Sequence, residues 1–263
     1  MSMKIDCYII RYSEIALKGK NRPLFENKLI DNLKKMLKRE NKSYENIKKT
    51  RGRIVLNSKE NCVDVLKHTF GIFSFSPAFY SDNLEEDALS LYTKGTFKVE
   101  TQRVDKDYPE GSQKVNERIG SYIVEKTNAK VKMKGADCVI GIEIINGKKL
   151  LYNESFLGAG GLPVGIEGEV AVYLENEESL LAAYFIMKRG CGLKLFGNKI
   201  NYSLIEKYYP KDLKFFELVP KHVLAIVTND TLENLKEYDF KIPLLKPLLG
   251  FNKNERETWL KSI

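Results

Sequence analysis

The chain has 263 residues and little of the chemistry on which disulfide-built and metal-built proteins depend. Its four cysteines, Cys7, Cys62, Cys138 and Cys191, lie far apart with no C-x-x-C pair, which argues against a disulfide framework and a cysteine-built zinc site. The two histidines, His68 and His222, fall in different blocks, so neither general-base chemistry nor metal binding is expected of them. No apolar run approaches the roughly 20 residues needed to span a bilayer. Asp6 and Arg11 interrupt the only apolar stretch near the start, so no signal-peptide core is expected there. Repeats and low-complexity tracts are absent. The expectation is a reduced, cytoplasmic protein with no membrane contact and no metal.

What is present is a core-forming composition, 43% hydrophobic and 30% charged. The length suits about two domains, or three small ones. The net charge of +8 is uneven: residues 1–57 carry 15 basic and 6 acidic side chains, a balance of +9, against −1 for 58–165 and zero for 166–263. All of the excess sits in the first fifth of the chain. That is the electrostatic footprint of a polyanion-binding surface, and a solvated basic face has the same pattern. Here the basic residues also occupy turns, Lys18-Gly-Lys20 and Arg51-Gly-Arg53, which favours nucleic-acid contact.

Hydrophobic periodicity places the elements. Cys7–Tyr12 reads as a strand, followed by a turn-prone Lys18–Pro23 and a helix starting near Pro23. Leu24, Phe25, Leu29, Leu33, Met36 and Leu37 predict its buried stripe. Arg53–Leu56 is a strand and Asn61–His68 a short helix. Phe97–Arg103 alternates as a half-buried strand, and Ser112 is the expected N-cap of a helix with Val115, Ile119, Tyr122 and Ile123 inward. Asn146-Gly147 between two apolar runs signals a hairpin, because both turn positions need positive φ. Gly158–Gly165 reads as a flexible hinge. Beyond it, a strand at 169–174, a helix at 179–189 and a strand at 222–228 predict a small parallel sheet.

Three stretches carry more than pattern: Arg11–Arg22, then Phe97–Lys106 with Val115-Asn116 and Ile119-Gly120, and Gly160–Gly165. Together they resemble the ThiI family of tRNA sulfurtransferases, the 4-thiouridine synthetases. The resemblance is specific for residues 1–165 and continues with gaps to Ile263, through Arg189-Gly-Cys191 and Lys246–Glu255. It implies an α/β (α+β) chain: a ferredoxin-like domain over 1–57, a THUMP domain over 58–157 and a shortened PP-loop (Rossmann-like) domain over 166–263. In that family the first two hold tRNA, while the PP-loop domain adenylates a uridine and a cysteine persulfide supplies sulfur.

The departures fall on the catalytic half. The family's Ser-Gly-Gly-x-Asp-Ser loop lets backbone amides approach pyrophosphate at a helix N-terminus. Here the corresponding segment is Leu174–Leu180, without glycine, and Glu175, Glu177 and Glu178 stand beside the phosphate position. At about 4 Å and an effective dielectric near 20, each such repulsion is on the order of 4 kcal/mol before screening. Residues 215–222 contain no cysteine where the family carries its catalytic one, and Cys191 reads as a packed small residue.

The resemblance implies Lys18, Lys20, Arg22, Arg51, Arg53, Lys98, Arg103, Lys106 and Arg118 as RNA-facing residues, each of which reads equally as a solvated charge. Tyr12 and Phe97 can stack on bases, but read first as core. No catalytic residue, cofactor or metal ligand is expected. The reading is a tRNA-binding, non-catalytic relative or accessory factor of tRNA thiolation, with a homodimer or a protein partner implied by the resemblance. Two alternatives stay open: an active sulfurtransferase completed by a partner subunit, and an assembly protein whose last domain is a docking surface.

Overall fold

The computed structural model describes residues 4–105 and 107–263. In chain order its elements are β1 (Cys7–Arg11), a 3-10 segment (Glu14–Asn21), α1 (Arg22–Arg39), β2 (Asn46–Thr50), β3 (Arg53–Asn57), α2 (Val63–Lys67), β4 (Ser74–Ser81), α3 (Leu84–Leu91), β5 (Phe97–Arg103) and α4 (Ser112–Thr127). Then come β6 (Cys138–Ile145), β7 (Lys148–Tyr152), β8 (Phe156–Leu157), β9 (Glu169–Leu174), α5 (Glu177–Lys188), β10 (Gly192–Gly197), α6 (Ser203–Glu206), β11 (Phe215–Phe216), β12 (Ile226–Val227), β13 (Leu244–Leu245) and α7 (Lys253–Ser262). Two compact units result, and neither follows the chain continuously. The first takes the chain up to Arg11, Ser43–Asn61 and Ser74–Leu157; the second takes Tyr12–Lys42, Cys62–Phe73 and Gly158–Ile263.

The first unit is one sheet in the order β2-β3-β1-β4-β7-β6-β5, with β8 also on β4. The β4 strand belongs to both halves, pairing β1 along Ser74–Ala78 and β7 along Phe79–Ser81. The strand alternation then sorts the side chains. On β6, Ile140, Ile142 and Ile144 join Phe97, Val99, Val115, Ile119 and Ile123 in the core under α3 and α4. Ile145 turns to the opposite face and packs with Cys7, Ile9, Val55, Ala78 and Leu150. Glu143 lies on that second face and is fully buried. It accepts from Arg11 at 2.6 and 2.9 Å and from Arg53 at 2.8 Å. Arg53 also donates to Gln102 of β5. In a flat sheet β3 and β6 would stand about 19 Å apart at the usual interstrand spacing. These bonds therefore require the sheet to roll until β3 meets β6 and β5, and the buried carboxylate is the seam.

The second unit is a five-stranded sheet, β11-β10-β9-β12-β13, with every pair parallel. Numbered along the chain this is a 3-2-1-4-5 order. Helix α5 is buried on nearly all sides, through Leu180, Leu181, Ala182, Ala183, Tyr184, Ile186 and Met187. Among the described residues no helix is long and apolar enough to cross a membrane.

Several local expectations are corrected. Leu24 is 60% exposed, because the buried stripe of α1 runs Phe25, Leu29, Leu33, Met36, and Leu24 stands one position off it. Asn32 joins the stripe by donating to the Val164 carbonyl at 3.0 Å. Gly111, in extended conformation, caps α4, and Ser112 is its first residue. The 222–228 run is extended only at Ile226–Val227, where it finds parallel partners on both sides; His222 is left-handed at φ 56°. The 158–165 segment is not a free hinge. Gly71 donates to Gly160 at 2.7 Å and Leu162 to Lys188 at 2.9 Å, and a Cβ on Gly161 would stand 2.2 Å from the Lys188 carbonyl. The Asn146-Gly147 turn has the positive φ expected of it, 50° and 72°.

Replacing Glu143 by Ala leaves two arginines without their buried partner, so Glu143→Ala is expected to lower the unfolding free energy by about 3–5 kcal/mol. Chemical denaturation checks this; an unchanged midpoint would show that the seam contributes nothing.

Candidate nucleic-acid interface and nucleotide site

In the first unit, Arg51, Arg53 and Arg103 come together at the rolled edge, whereas Lys98 and Arg118 lie elsewhere. The β2–β3 turn carries Arg51, exposed and without an ion pair among the described residues. Because Arg53 bonds Gln102, this turn lies against the C-terminal end of β5, next to Arg103. Arg103 donates to the Tyr108 carbonyl at 3.1 Å, which folds the following loop back. Lys106 lies outside the described residues. Lys98 pairs with Glu100 on its own strand. Arg118 on α4 is held by Glu85 and by Glu110 at 2.9 Å. Arg53 is thus anchored internally, and Arg51 is the side chain of this group that projects.

In the second unit, Lys18, Lys20 and Arg22 share the 3-10 segment and the start of α1. Lys18 stands over the Phe25 ring at 4.5 Å and 3.6 Å from Glu167. Arg22 donates to the Ala16 carbonyl at 2.9 Å, while its buried Nε has no hydrogen-bond partner among the described residues. Lys20 is exposed. Tyr12 and Phe97 are core residues: Tyr12 is buried and donates to Glu26, and Phe97 is fully buried.

The 3-2-1-4-5 order has its switch point between β9 and β12, and open parallel sheets bind ligands at the carboxyl ends of such strands. Sequence reading missed what fills this crevice. Lys236 pairs with both Glu175 oxygens at 2.8 Å. Fully buried Asp230 receives Lys246 at 2.5 Å and the Tyr238 hydroxyl at 2.7 Å. Arg256 donates to Glu178 at 2.9 Å and lies 3.6 Å from Glu233. Asn229 donates to Asn176 at 2.9 Å. Lys236 and Arg256 lie 61 and 78 residues beyond Glu175 and Glu178, so only the fold reveals those pairings.

The amides that would face a phosphate are also taken. Asn176 Oδ1 accepts from the Glu178 N–H at 3.0 Å, and Ser179 Oγ accepts from Glu175 at 3.0 Å and Asn176 at 3.4 Å, a closed capping box. With no glycine between Leu174 and Leu180, and carboxylates at 175, 177 and 178, this donor set does not fit a nucleoside triphosphate. Burial pushes the Cys7 thiol up to about 12, and burial followed by Glu167 raises that of Cys191. Cys62 and Cys138 are buried. No group of three or more His, Cys, Asp or Glu among the described residues could hold a metal.

Residues 7–76 match the model of the ThiI ferredoxin-like domain and residues 82–154 that of the THUMP domain. A probable tRNA sulfurtransferase of Mycoplasmopsis synoviae is 36% identical over 189 residues, covering 69% of this chain and 49% of that protein. One from Caldanaerobacter subterraneus is 37% identical over 199 residues, covering 70% and 51%. The chain spans about half the length of the curated relatives it matches. Among solved structures, PH1313 from Pyrococcus horikoshii Ot3 superposes with a TM-score of 0.86 at 26% identity, covering 98% of this chain and 99% of that one. A 4-thiouridine synthetase in complex with RNA and bound ATP superposes at 0.81 and 24% identity, covering 98% and 84%, a likeness of fold.

Two outcomes are expected. Lys246→Met strands a buried carboxylate and lowers stability by about 3–5 kcal/mol in a denaturant titration. The raised Cys7 and Cys191 pKa values leave little thiolate near neutral pH. Iodoacetamide is therefore expected to alkylate the native protein at pH 8 far more slowly than free cysteine, as followed by mass spectrometry; a fast-reacting site would contradict this.

Proposed function

We propose, for a chain that belongs to the ThiI family by its ferredoxin-like and THUMP domains, that it binds tRNA through those domains without performing sulfur transfer itself, as a non-catalytic relative or accessory factor of 4-thiouridine formation. The observation that carries the reading is the switch-point crevice. Where the family needs a glycine loop and a thiolate, this chain has Glu175, Asp230 and Glu178 paired with Lys236, Lys246 and Arg256. Residues 1–57 carry the excess charge of +9, and Lys20 on the 3-10 segment and Arg51 on the β2–β3 turn are exposed. Such contacts neutralise phosphates and fix register, so recognition rests on RNA shape and on the single-stranded 3′ end.

The expected result is tight binding of unmodified tRNA at near-physiological salt, weakened when the 3′ end is trimmed. Arg51→Ala and Lys20→Ala each weaken binding across tRNA species and reduce the slope of log affinity against log salt by about one. Binding that is weak and indifferent to trimming would overturn the tRNA role. Incubation with radiolabelled ATP is expected to yield no adenylated tRNA; its formation by the chain alone would overturn the non-catalytic half of the reading. Formation only after a second protein is added would favour an enzyme completed in trans.

A further inference from the structure

We propose that the aromatic pocket at the end of α5 receives one unpaired nucleotide of the bound RNA, its base stacked on Trp259 and its phosphate held by Lys188 and Arg189, a contact that presupposes the tRNA-binding reading. The pocket has a volume of about 360 Å³ and is lined by Phe185 and Lys188 in the last turn of α5, by Arg189 just beyond it, by Pro247 and Phe251, and by Trp259 of α7. That is near the lower end of the range of about 300–1,000 Å³ for small-ligand sites, room for one nucleotide. It lies about 12–18 Å along α5 from the capping box, so it is separate from the switch-point crevice.

The rings supply the base contact. Phe185 and Phe251 stack at 4.8 Å between centroids, and Trp259 meets Phe185 edge-on at 5.2 Å. All three pack against the core of this unit and stay partly exposed. The Lys188 ammonium stands over the Trp259 ring at 5.7 Å. That face of the indole therefore meets a flexible side chain, which withdraws towards the phosphate as a base enters. Stacking on an aromatic face accepts every base, so the pocket reads an unpaired nucleotide without reading its identity.

Charge then selects the occupant. Among the described residues lining the pocket, the charged ones are Lys188 and Arg189. The last carbonyls of α5, from Phe185 to Lys188, already accept from the N–H groups of Arg189, Cys191, Gly190 and Leu162, so they present little negative charge to a phosphate. Arg189 lies 3.1 Å from Glu14 in a solvated ion pair that a phosphate replaces at little cost. This pair sets the pocket beside the 3-10 segment that bears Lys18 and Lys20. Lys18 in turn lies 3.6 Å from Glu167, whose N–H donates to Gly190 at 3.1 Å. The carboxylates of the flanking elements are matched: Glu14 by Arg189, Glu167 by Lys18 and Glu257 by Lys253 at 4.0 Å, while Glu255 is closed into the α7 cap. Lys20 and Lys188 remain in excess, with no ion pair among the described residues. A polyanion that follows the 3-10 segment is thus led to the pocket, and RNA brings both a phosphate for the cations and a ring for the indole.

The chain has a single tryptophan, so its fluorescence reports on this pocket. The full chain is titrated with unmodified tRNA, with a tetra-adenylate RNA and with an abasic tetramer of the same length and charge; a tetrapeptide of alternating phenylalanine and glutamate is a further comparator. The expected result is that tRNA and tetra-adenylate quench Trp259 emission and shield it from acrylamide. The abasic strand and the peptide do neither, and the abasic strand binds about tenfold more weakly than tetra-adenylate. Trp259→Leu weakens labelled tetra-adenylate about tenfold in fluorescence anisotropy and leaves the salt slope unchanged. Lys188→Gln reduces that slope by about 0.7 and keeps the test valid if Trp259→Leu folds poorly. Tight tRNA binding with Trp259 emission unchanged would overturn the pocket and leave the tRNA reading standing. Quenching by tetra-adenylate without tRNA binding would keep the nucleotide pocket and overturn the tRNA reading. Abasic binding as tight as that of tetra-adenylate, or equal quenching by the peptide, would also overturn the proposal.

Discussion

One buried carboxylate organises the first unit. Glu143 is inaccessible to solvent and sits on a strand whose neighbours in sequence are isoleucines. A lone charge there would be strongly disfavoured, so its position is stable only if the arginines of β1 and β3 reach it. That requirement rolls the sheet and brings the 51–53 turn beside the end of β5. Arg11 completes the arrangement by donating to Ser76 at 3.0 Å and lying over the Tyr152 ring at 5.0 Å. Two cations around one anion leave a net positive charge at the seam, next to Arg51 and Arg103. The interaction that closes the sheet thereby also shapes the basic surface proposed to meet RNA.

The second unit meets a comparable demand differently. The carboxyl ends of parallel strands and the N-terminus of α5 gather unpaired backbone groups at the switch point. Something must satisfy them. Here side chains do so: Asn176 and Ser179 close the helix end, and the lysines of 236 and 246 neutralise Glu175 and Asp230. Tyr238 reinforces this cluster, its hydroxyl held protonated mainly by burial and by Asp230. The parallel-strand crevice is thus closed by internal ion pairs. Both units share one logic, in which buried carboxylates are placed where cations from distant segments can find them.

Much of this was legible in the sequence, and the remainder was not for identifiable reasons. The long, strongly periodic elements α1, α4, α5, β5 and β9 and the Asn146-Gly147 hairpin follow from apolar spacing and turn chemistry. That Leu174–Leu180 contains no glycine is visible in the sequence itself. Strands β2, β4 and β10 escaped because Asn46–Thr50 is largely polar, Pro77 interrupts the β4 pattern, and Gly192–Gly197 begins and ends on glycine. The role of Arg53 as an internal anchor depends on residue 143, ninety positions away, and no local pattern announces it. The pairing of Glu178 with Arg256 is hidden by a similar distance.

Hydrogen–deuterium exchange on the intact chain, with tRNA and separately with ATP, tests the account most directly. It predicts that tRNA protects the 14–22 segment and the 50–53 turn, while ATP leaves 174–180 and 228–231 unchanged. Protection of 174–180 by ATP, or no protection of the basic segments by tRNA, would contradict it.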